Sequence, residues 1–229
     1  MKHTKTGARW TTPVSVWATS VLLMLTPARA DILVNNFNSA SEVAQWRFDF
    51  GNVAHAESWD STTDANGNPA SGSWKVTLTF NSALGGNNKG AYTTDRWFPG
   101  LDGSTLANLQ FDLKIDPASA PDAFGNNGFF SMAIRNTDNY DFVQEFGGNV
   151  KSADGWRHIV VSPLTGPYDH IRALTWQLYG GPSQNIDGPV TLWFDNIQFA
   201  EVPEPASLAL LGCGALLLLW RPHRRSRLA

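Results

Sequence analysis

Hydrophobic and polar residues alternate along the centre of the chain with a period of two. The pattern is clearest in residues 74–80, 109–115 and 130–134, where every second residue is hydrophobic. Alternation of this kind is typical of β-strands that bury one face. Shorter hydrophobic runs predict further strands at residues 32–37, 46–50, 89–97, 141–146, 156–162, 173–179 and 190–199.

The connections between these segments favour turns. Gly and Asn, which tolerate positive φ, are concentrated in stretches such as 64–69 and 125–128. No stretch of the body has the spacing of a long helix. About ten strands joined in this way predict an all-β fold, a two-sheet antiparallel β-sandwich of the jelly-roll type. Residues 31–202 have the length of a single domain with one core.

The first 30 residues have the three parts of a secretory signal peptide. Lys2, Lys5 and Arg9 form a basic start, and residues 14–25 are mostly apolar. Ala28 and Ala30 then provide a small-x-small cleavage site. We expect the mature chain to begin at Asp31, and a retained N-terminal anchor is the alternative.

Residues 203–229 combine a Pro-Glu-Pro motif, an apolar segment at 206–220 and a basic end. As a helix the apolar segment reaches about 22 Å, which is shorter than the roughly 30 Å hydrocarbon core. It therefore predicts one short, marginal transmembrane helix, and a buried core helix is the alternative. The arginines that follow place the C-terminus in the cytoplasm by the positive-inside rule.

This tail resembles the PEP-CTERM signal of exported bacterial proteins, also called the ice-binding-protein C-terminal motif. The resemblance implies a processing enzyme of the exosortase type as partner and a sorting motif made of Pro203, Glu204, Pro205, Arg221, Arg224 and Arg225. It implies export, transient anchoring in the inner membrane, and release to the cell surface or an extracellular matrix. Ice binding is not favoured, because the body lacks the regular Thr repeats of a flat, lattice-matched face.

Between the terminal segments the chain is strongly acidic. Residues 31–205 carry nine Lys and Arg against 20 Asp and Glu, a formal charge of −11. This excess argues against nucleic acid as a partner, because nucleic acid requires a basic face, and it is compatible with neutral glycans or calcium. The body contains no Cys, so its stability must come from packing rather than disulfides.

Four segments of the body resemble jelly-roll carbohydrate-binding modules of the galactose-binding-like type. They are Asn-Asn-Phe-Asn at 35–38, Ser-Gly-Ser-Trp-Lys-Val at 71–76, Gly-Trp-Arg-His-Ile at 155–159, and the closing residues 188–197. Their order and spacing cover most of the body. The resemblance implies that the sandwich binds an extracellular polysaccharide without catalysis.

The alternation slips by one residue in the last predicted strand. Hydrophobic residues occupy even positions up to Phe194 and odd positions from Ile197, which predicts a β-bulge at Asp195–Asn196. In modules of the resembled type, the corresponding Asp helps to bind a structural calcium ion together with first-strand oxygens, here those of Asn36 and Asn38. The alternative is that Asp195 caps the bulge through backbone hydrogen bonds.

Aromatic rings beside carboxylates and amides are typical of glycan-binding surfaces, since rings stack on sugars and polar atoms bind the hydroxyls. Trp193 has the parity opposite to that of its hydrophobic neighbours. The candidates for carbohydrate binding are Trp59, Trp97, Trp193, Tyr140 and Tyr179. Core packing is an open alternative for each of them, and it is the prediction for Trp46 and Trp74.

The sequence offers little for catalysis. It contains no Gly-x-Ser-x-Gly elbow, no His-Glu-x-x-His and no phosphate-binding loop. Asp141 and Glu145 share a face of a predicted strand at about 13 Å, which is far for the paired acids of a glycosidase. We therefore expect a protein that is not an enzyme. A structural or adhesive matrix protein without a sugar site is the first alternative, and a carbohydrate-active hydrolase or lyase is the second.

Overall fold

The computed structural model describes residues 31–94, 101, 103–136, 141–166, 168, 170–181 and 185–201. Residues Ala30–Val202 form one compact unit. Each of the ten segments predicted as strands contains one, and an eleventh strand lies at Ala54–Asp60.

The described elements are eleven strands, one short α-helix and three turns of 3₁₀-helix. In chain order they are β1 (Ile32–Asn35), α1 (Ala40–Val43), β2 (Trp46–Gly51), β3 (Ala54–Asp60), β4 (Ser73–Phe80), a 3₁₀-helix (Ser82–Asn87), β5 (Lys89–Thr94), a 3₁₀-helix (Gly103–Thr105), β6 (Leu106–Ile115), β7 (Phe129–Asn136), β8 (Asp141–Asn149), a 3₁₀-helix (Ser152–Asp154), β9 (Trp156–Val161), β10 (Ile171–Tyr179) and β11 (Gly188–Glu201).

The strands form two antiparallel sheets. The six-stranded sheet has the order β3-β4-β11-β6-β9, with β1 also paired to β11, and the five-stranded sheet has the order β2-β5-β10-β7-β8. Most neighbours in each sheet are distant in sequence, so the chain crosses repeatedly between the two sheets. This arrangement confirms the predicted two-sheet antiparallel β-sandwich.

The predicted bulge in the last strand is present. The pairing of β11 with β6 shifts between Asp195 and Gln198, and Asn196 has a φ of 50°. Along the other edge of β11, residues up to Phe194 pair with β4 and residues from Ile197 pair with β1. The bulge therefore lies where one long strand changes partners.

Large aromatic side chains fill the space between the sheets. Trp46 and Trp74, both predicted to be core, expose 2% and 0% of their surface. The Trp74 ring lies 5.0 Å from that of Trp46, 5.7 Å from that of Trp176 and 5.3 Å from that of Phe194. Offset and edge contacts between rings add to the free energy gained by burying them. Aromatic packing thus stabilises the fold of a body that has no Cys for disulfide bonds.

Strand β3 was missed because its sequence, Ala-His-Ala-Glu-Ser-Trp-Asp, has no hydrophobic alternation. It lies at the edge of the six-stranded sheet and pairs only with β4. An edge strand with mostly exposed side chains is held by backbone pairing and gives little signal in hydropathy.

The loop after β3 is a polar turn, in which Asp64 Oδ1 accepts hydrogen bonds from the backbone N–H groups of Asn66 and Asn68 at 2.8 and 2.7 Å.

Candidate functional site

Several predicted functional residues lie outside the described ranges. These are the sorting residues Pro203, Glu204, Pro205, Arg221, Arg224 and Arg225, the apolar segment 206–220, and the aromatic candidates Trp97 and Tyr140. Within the described ranges, no helix is both long and apolar enough to cross a membrane.

Trp193 lies on the outer face of the six-stranded sheet, as its parity predicts, but it is not an open platform. Only 7% of its surface is exposed. The ammonium groups of Lys75 and Lys114 lie 5.3 and 5.1 Å from its ring centroid, and its indole N–H donates to Asp60 Oδ2 at 2.9 Å. The expected exposure is therefore wrong, because lysines from β4 and β6 cover the ring.

Trp59, another predicted candidate, follows the alternative of core packing. It lies in β3 directly opposite Trp74 and packs against the core as a half-buried residue. Its indole N–H donates to the carbonyl of Phe37 at 2.7 Å. A Cβ at Gly72 would lie only 2.6 Å from Trp59 Nε1, so the ring is fitted tightly against that glycine.

Asp195 is a buried cap of the bulge. It has no exposed surface, and its two carboxylate oxygens accept hydrogen bonds from the backbone N–H groups of Ala65 at 3.0 Å and Asn196 at 2.8 Å. Burial, together with the carboxylates of Asp64 and Asp112, raises the pKa of Asp195 to about 7, although the two hydrogen bonds oppose the shift.

The other two calcium candidates have partners in the first loop. The backbone N–H of Asn36 donates to Glu42 Oε2 at 3.0 Å, and the side-chain oxygen of Asn38 accepts from the Ser71 hydroxyl. In the described part of the chain, no hydrogen bond joins Asp195 to Asn36 or Asn38. Nor does that part contain a group of three or more His, Cys, Asp or Glu side chains placed to hold a metal. These oxygens are of the type that calcium binds, but those of Asp195 already accept protein donors.

Glu145, considered above as one of two possible catalytic acids, has a structural partner. Its carboxylate accepts hydrogen bonds from the backbone N–H groups of Thr165 at 3.1 Å and Gly166 at 3.2 Å. It therefore ties β8 to the loop that follows β9.

The outer face of the five-stranded sheet carries a row of small polar residues that cross the strands. Thr175 in β10 pairs with Thr93 in β5 and Ala133 in β7, and Gln177 pairs with Ala91 and Ser131. All six point away from the core between the sheets, because their strand neighbours Tyr92, Trp176 and Met132 point into it, but each exposes at most 4% of its surface. We call this strip, with the larger side chains at its two sides, the cross-strand groove.

A hydrogen-bonded network runs along one side of the cross-strand groove. Thr93 Oγ1 lies 2.8 Å from Asp49 Oδ2 and 2.9 Å from Thr175 Oγ1. Arg135 Nε donates to Thr175 Oγ1 at 3.0 Å, and Arg135 Nη2 lies 3.4 Å from Asp49 Oδ2. The Arg135 guanidinium also lies 4.9 Å from the ring centroid of Phe142, a ring that is 39% exposed.

Tyr179, a predicted candidate, stands at the opposite side of the cross-strand groove. Its ring lies 6.2 Å from that of Phe129 in an edge-to-face arrangement, and the Lys89 ammonium lies 5.7 Å from its centroid. Its hydroxyl donates to the side-chain oxygen of Gln177. Burial raises the pKa of Tyr179, so the phenol stays protonated as a donor. This half-buried ring is the one described candidate that borders a polar strip.

The polar floor of the cross-strand groove was not found in the sequence. Thr93, Ser131, Thr175 and Gln177 are ordinary outward positions of three separate strands, and only the pairing register brings them together. A search for polar residues at the outward positions of several predicted strands would have found them, but neither their alignment nor their burial.

One family description matches the chain: residues 201–225 match the PEP-CTERM protein-sorting motif. The motif indicates an exported protein that is sorted through the membrane to the cell surface. No curated protein matches the chain at a significant level.

Solved structures share the fold at low identity. The family 11 carbohydrate-binding module of a Clostridium thermocellum cellulosomal cellulase is 14% identical with a TM-score of 0.50, over 76% of this chain and 96% of that one. CBM28, a module specific for non-crystalline cellulose, is 15% identical with a TM-score of 0.51, over 74% and 94%. An exo-β-agarase is 12% identical with a TM-score of 0.52, over 76% of this chain and 26% of that one. The body therefore has the jelly-roll fold of carbohydrate-binding modules.

Proposed function

We propose that the chain is an exported, non-catalytic polysaccharide-binding protein whose glycan lies in the cross-strand groove. The observation that carries the proposal is the pair of sides that flank the buried polar strip of Thr93, Thr175, Gln177 and Ser131, with the Tyr179 ring on one side and Arg135 and Phe142 on the other. The strip crosses three strands, about 10 Å at a spacing of about 4.8 Å, and Asp49 in β2 and Phe142 in β8 extend the groove across all five strands, roughly 19 Å. That length fits a segment of a linear glycan better than a single sugar.

The residues of the cross-strand groove suit a neutral sugar chain. The Tyr179 and Phe142 rings offer apolar faces for stacking, and the guanidinium of Arg135 offers hydrogen bonds to hydroxyl groups. Asp49 balances the charge of Arg135 at 3.4 Å, so this side of the groove has little net charge. The strongly acidic body offers no electrostatic attraction to an anionic polysaccharide.

The sorting tail completes the proposal. An exosortase-type enzyme recognises Pro203, Glu204 and Pro205, the segment 206–220 anchors the precursor transiently in the inner membrane, and the arginines hold the C-terminus in the cytoplasm. Processing then releases the body to the cell surface or the extracellular matrix. The match of residues 201–225 to the sorting motif supports this sequence of events.

Retention on immobilised neutral polysaccharides tests the groove. The full chain in a mild detergent is passed over amorphous cellulose and over agarose, two probes chosen from what the structural relatives are named for. Tyr179→Ala and Phe142→Ala remove one ring from each side, and we expect each to reduce retention at least about tenfold, the equivalent of 1.4 kcal/mol. Phe124→Ala is the matched control, because Phe124 is a 79% exposed ring that belongs neither to the polar strip nor to either of its sides.

Each outcome decides between the candidate functions. Loss of retention in both groove variants with an unchanged Phe124→Ala supports the proposal. If none of the variants alters retention, the groove is not the glycan-binding site. A wild-type chain that neither binds nor cleaves these glycans would favour the structural or adhesive matrix protein, and release of soluble sugar would favour the hydrolase or lyase.

A further inference from the structure

The outer face of the six-stranded sheet, opposite the cross-strand groove, contains two adjoining hollows. The larger has a volume of about 500 Å³ and is lined by Asp112, Trp156, His158, Asn196 and Gln198, among others. The smaller, of about 360 Å³, lies between Trp156, Lys114 and the 61–69 loop. Trp156 lines both hollows, so the two meet at this residue.

The polar side chains of the larger hollow are held in fixed orientations. Asp112 Oδ1 lies 2.8 Å from His158 Nδ1, and Asp112 Oδ2 accepts a 2.8 Å hydrogen bond from the Asn196 side-chain amide. The Gln198 amide donates to Gln110 Oε1 at 3.1 Å. One carboxylate therefore orients an imidazole and an amide together, while the His158 side chain remains 54% exposed.

The backbone adopts a left-handed conformation at this place. Asn196 has a φ of 50°, which Asn tolerates better than most residues other than Gly. The bulge moves Asn196 out of register between two regular stretches of β11 and directs its amide toward Asp112. Its neighbour Asp195 fixes the rim, since the Asp195 carboxylate accepts the backbone N–H of Ala65, which also lines the hollow.

The chemistry of this surface fits a sugar. It combines one half-buried indole ring with an imidazole and amides, the groups that stack on a sugar ring and bind its hydroxyls. The charges of Asp112 and Lys114 are opposite in sign, and the Lys114 ammonium lies 5.9 Å from the Trp156 centroid. Two hollows that meet at one aromatic residue provide places for consecutive sugar units.

We propose that this surface, the Trp156–His158 site, is a second binding site for a neutral oligosaccharide segment. The two sites lie on the outer faces of opposite sheets, which are separated by a core about 10 Å thick. A short glycan segment cannot contact both of them. The protein therefore joins two polysaccharide chains, or two distant parts of one chain, and acts as a cross-linker of the matrix. The proposal takes its ligand class from the proposed function but not its site.

A sandwich-capture assay tests the second site. The full chain in a mild detergent is bound to amorphous cellulose or agarose beads, unbound protein is washed away, and a fluorescently labelled soluble derivative of the same glycan is added. Wild type should capture the labelled glycan. Trp156→Ala should remain on the beads and reduce capture at least about tenfold, the loss expected for a central aromatic contact.

His158→Ala and Val160→Ala complete the set. His158→Ala should also reduce capture, and it leaves the Trp156 ring in place if the larger truncation unfolds the chain. Val160 is the next outward residue of β9 and is 50% exposed, so Val160→Ala is the matched control and should capture like wild type. Melting temperatures of all variants are measured in the same detergent.

The outcomes separate this proposal from the groove. Retention on beads without capture of labelled glycan, or capture that Trp156→Ala and His158→Ala leave intact, would overturn the second site and leave the groove standing. Retention lost in Trp156→Ala and unaffected in Tyr179→Ala would leave the Trp156–His158 site as the one glycan site, and it would overturn both the groove and the cross-linking. A wild-type chain that is not retained on either glycan would overturn both.

Discussion

The carboxylate of Asp195 accepts a 3.0 Å hydrogen bond from the backbone N–H of Ala65, a residue 130 positions earlier in the chain. This contact fastens the 61–69 loop to the bulge of the last strand. It does so with an acid that is fully buried and close to the carboxylates of Asp64 and Asp112, so its pKa is raised to about 7. The contact therefore responds to pH.

The first prediction concerns this pH dependence. The folded state binds the Asp195 proton more tightly than the unfolded chain, whose pKa is the ordinary 3.8. Its contribution is therefore fully present below about pH 4 and is lost as the pH rises through about 7. The free energy of unfolding of wild type relative to Asp195→Asn should fall by up to about 4 kcal/mol between pH 4 and pH 8.

Urea unfolding at a series of pH values measures this difference. Asp60→Asn is the control. Hydrogen bonds from Thr62 and Trp193 outweigh the effect of partial burial and lower the pKa of Asp60 to about 2. Its contribution is present above pH 3.8 and is lost as the pH falls toward 2, outside the window used. Parallel curves for wild type and Asp195→Asn from pH 4 to pH 8 would contradict the assignment.

The second prediction concerns calcium at Asp195. A bound cation would replace the proton among the carboxylates, so calcium should raise the melting temperature of wild type at pH 8 and leave Asp195→Asn unchanged. At one hundred times the dissociation constant the stabilisation would be about 2.7 kcal/mol. Melting curves with calcium and with a chelator measure it. Identical wild-type curves would leave Asp195 as a cap that uses backbone donors alone.

The third prediction compares two tryptophans on opposite faces of one sheet. Trp74→Ala removes a fully buried ring from the centre of the aromatic core and should lower the free energy of unfolding by roughly 3 to 5 kcal/mol. Trp193→Ala removes a ring that packs under Lys75 and Lys114 on the outer face, where the lysines can rearrange, and should cost about 1 to 2 kcal/mol. Denaturant titration of both variants measures the order, and a larger loss for Trp193→Ala would reverse it.

The fourth prediction concerns topology and sorting. A reporter fused after Ala229 of the precursor should stay in the cytoplasm, because the terminal arginines stop translocation, and a reporter fused after Val202 in place of the tail should be exported. Glu204→Ala with Pro205→Ala should accumulate as unprocessed protein in the membrane fraction. Arg227→Ala is the matched change beyond the sorting motif and should be processed normally. An exported reporter at Ala229, or normal release of the double variant, would argue against the anchor or the motif respectively.

The sequence predicted the sandwich well because the signal is local. Side chains of a strand alternate between its two faces, so hydrophobic parity alone assigns Trp74 to the core and locates the slip at Asp195–Asn196. The same reasoning could not find β3, since an edge strand without a hydrophobic face is defined by its partner β4. It also placed Trp193 on the correct face while missing that Lys75 and Lys114, from two other strands, cover its ring.

The sequence by itself determined the sorting signal of this protein and its fold class. The sorting motif consists of adjacent residues, and the strands follow from the alternation of hydrophobic and polar residues along the chain. Tertiary structure alone decided the two surfaces that we propose as binding sites. Thr93, Ser131, Thr175 and Gln177 meet only through strand register, and Asp112 meets His158 and Asn196 only because β6 lies between β9 and β11. Register and sheet order depend on contacts between residues far apart in the chain, which no local pattern specifies.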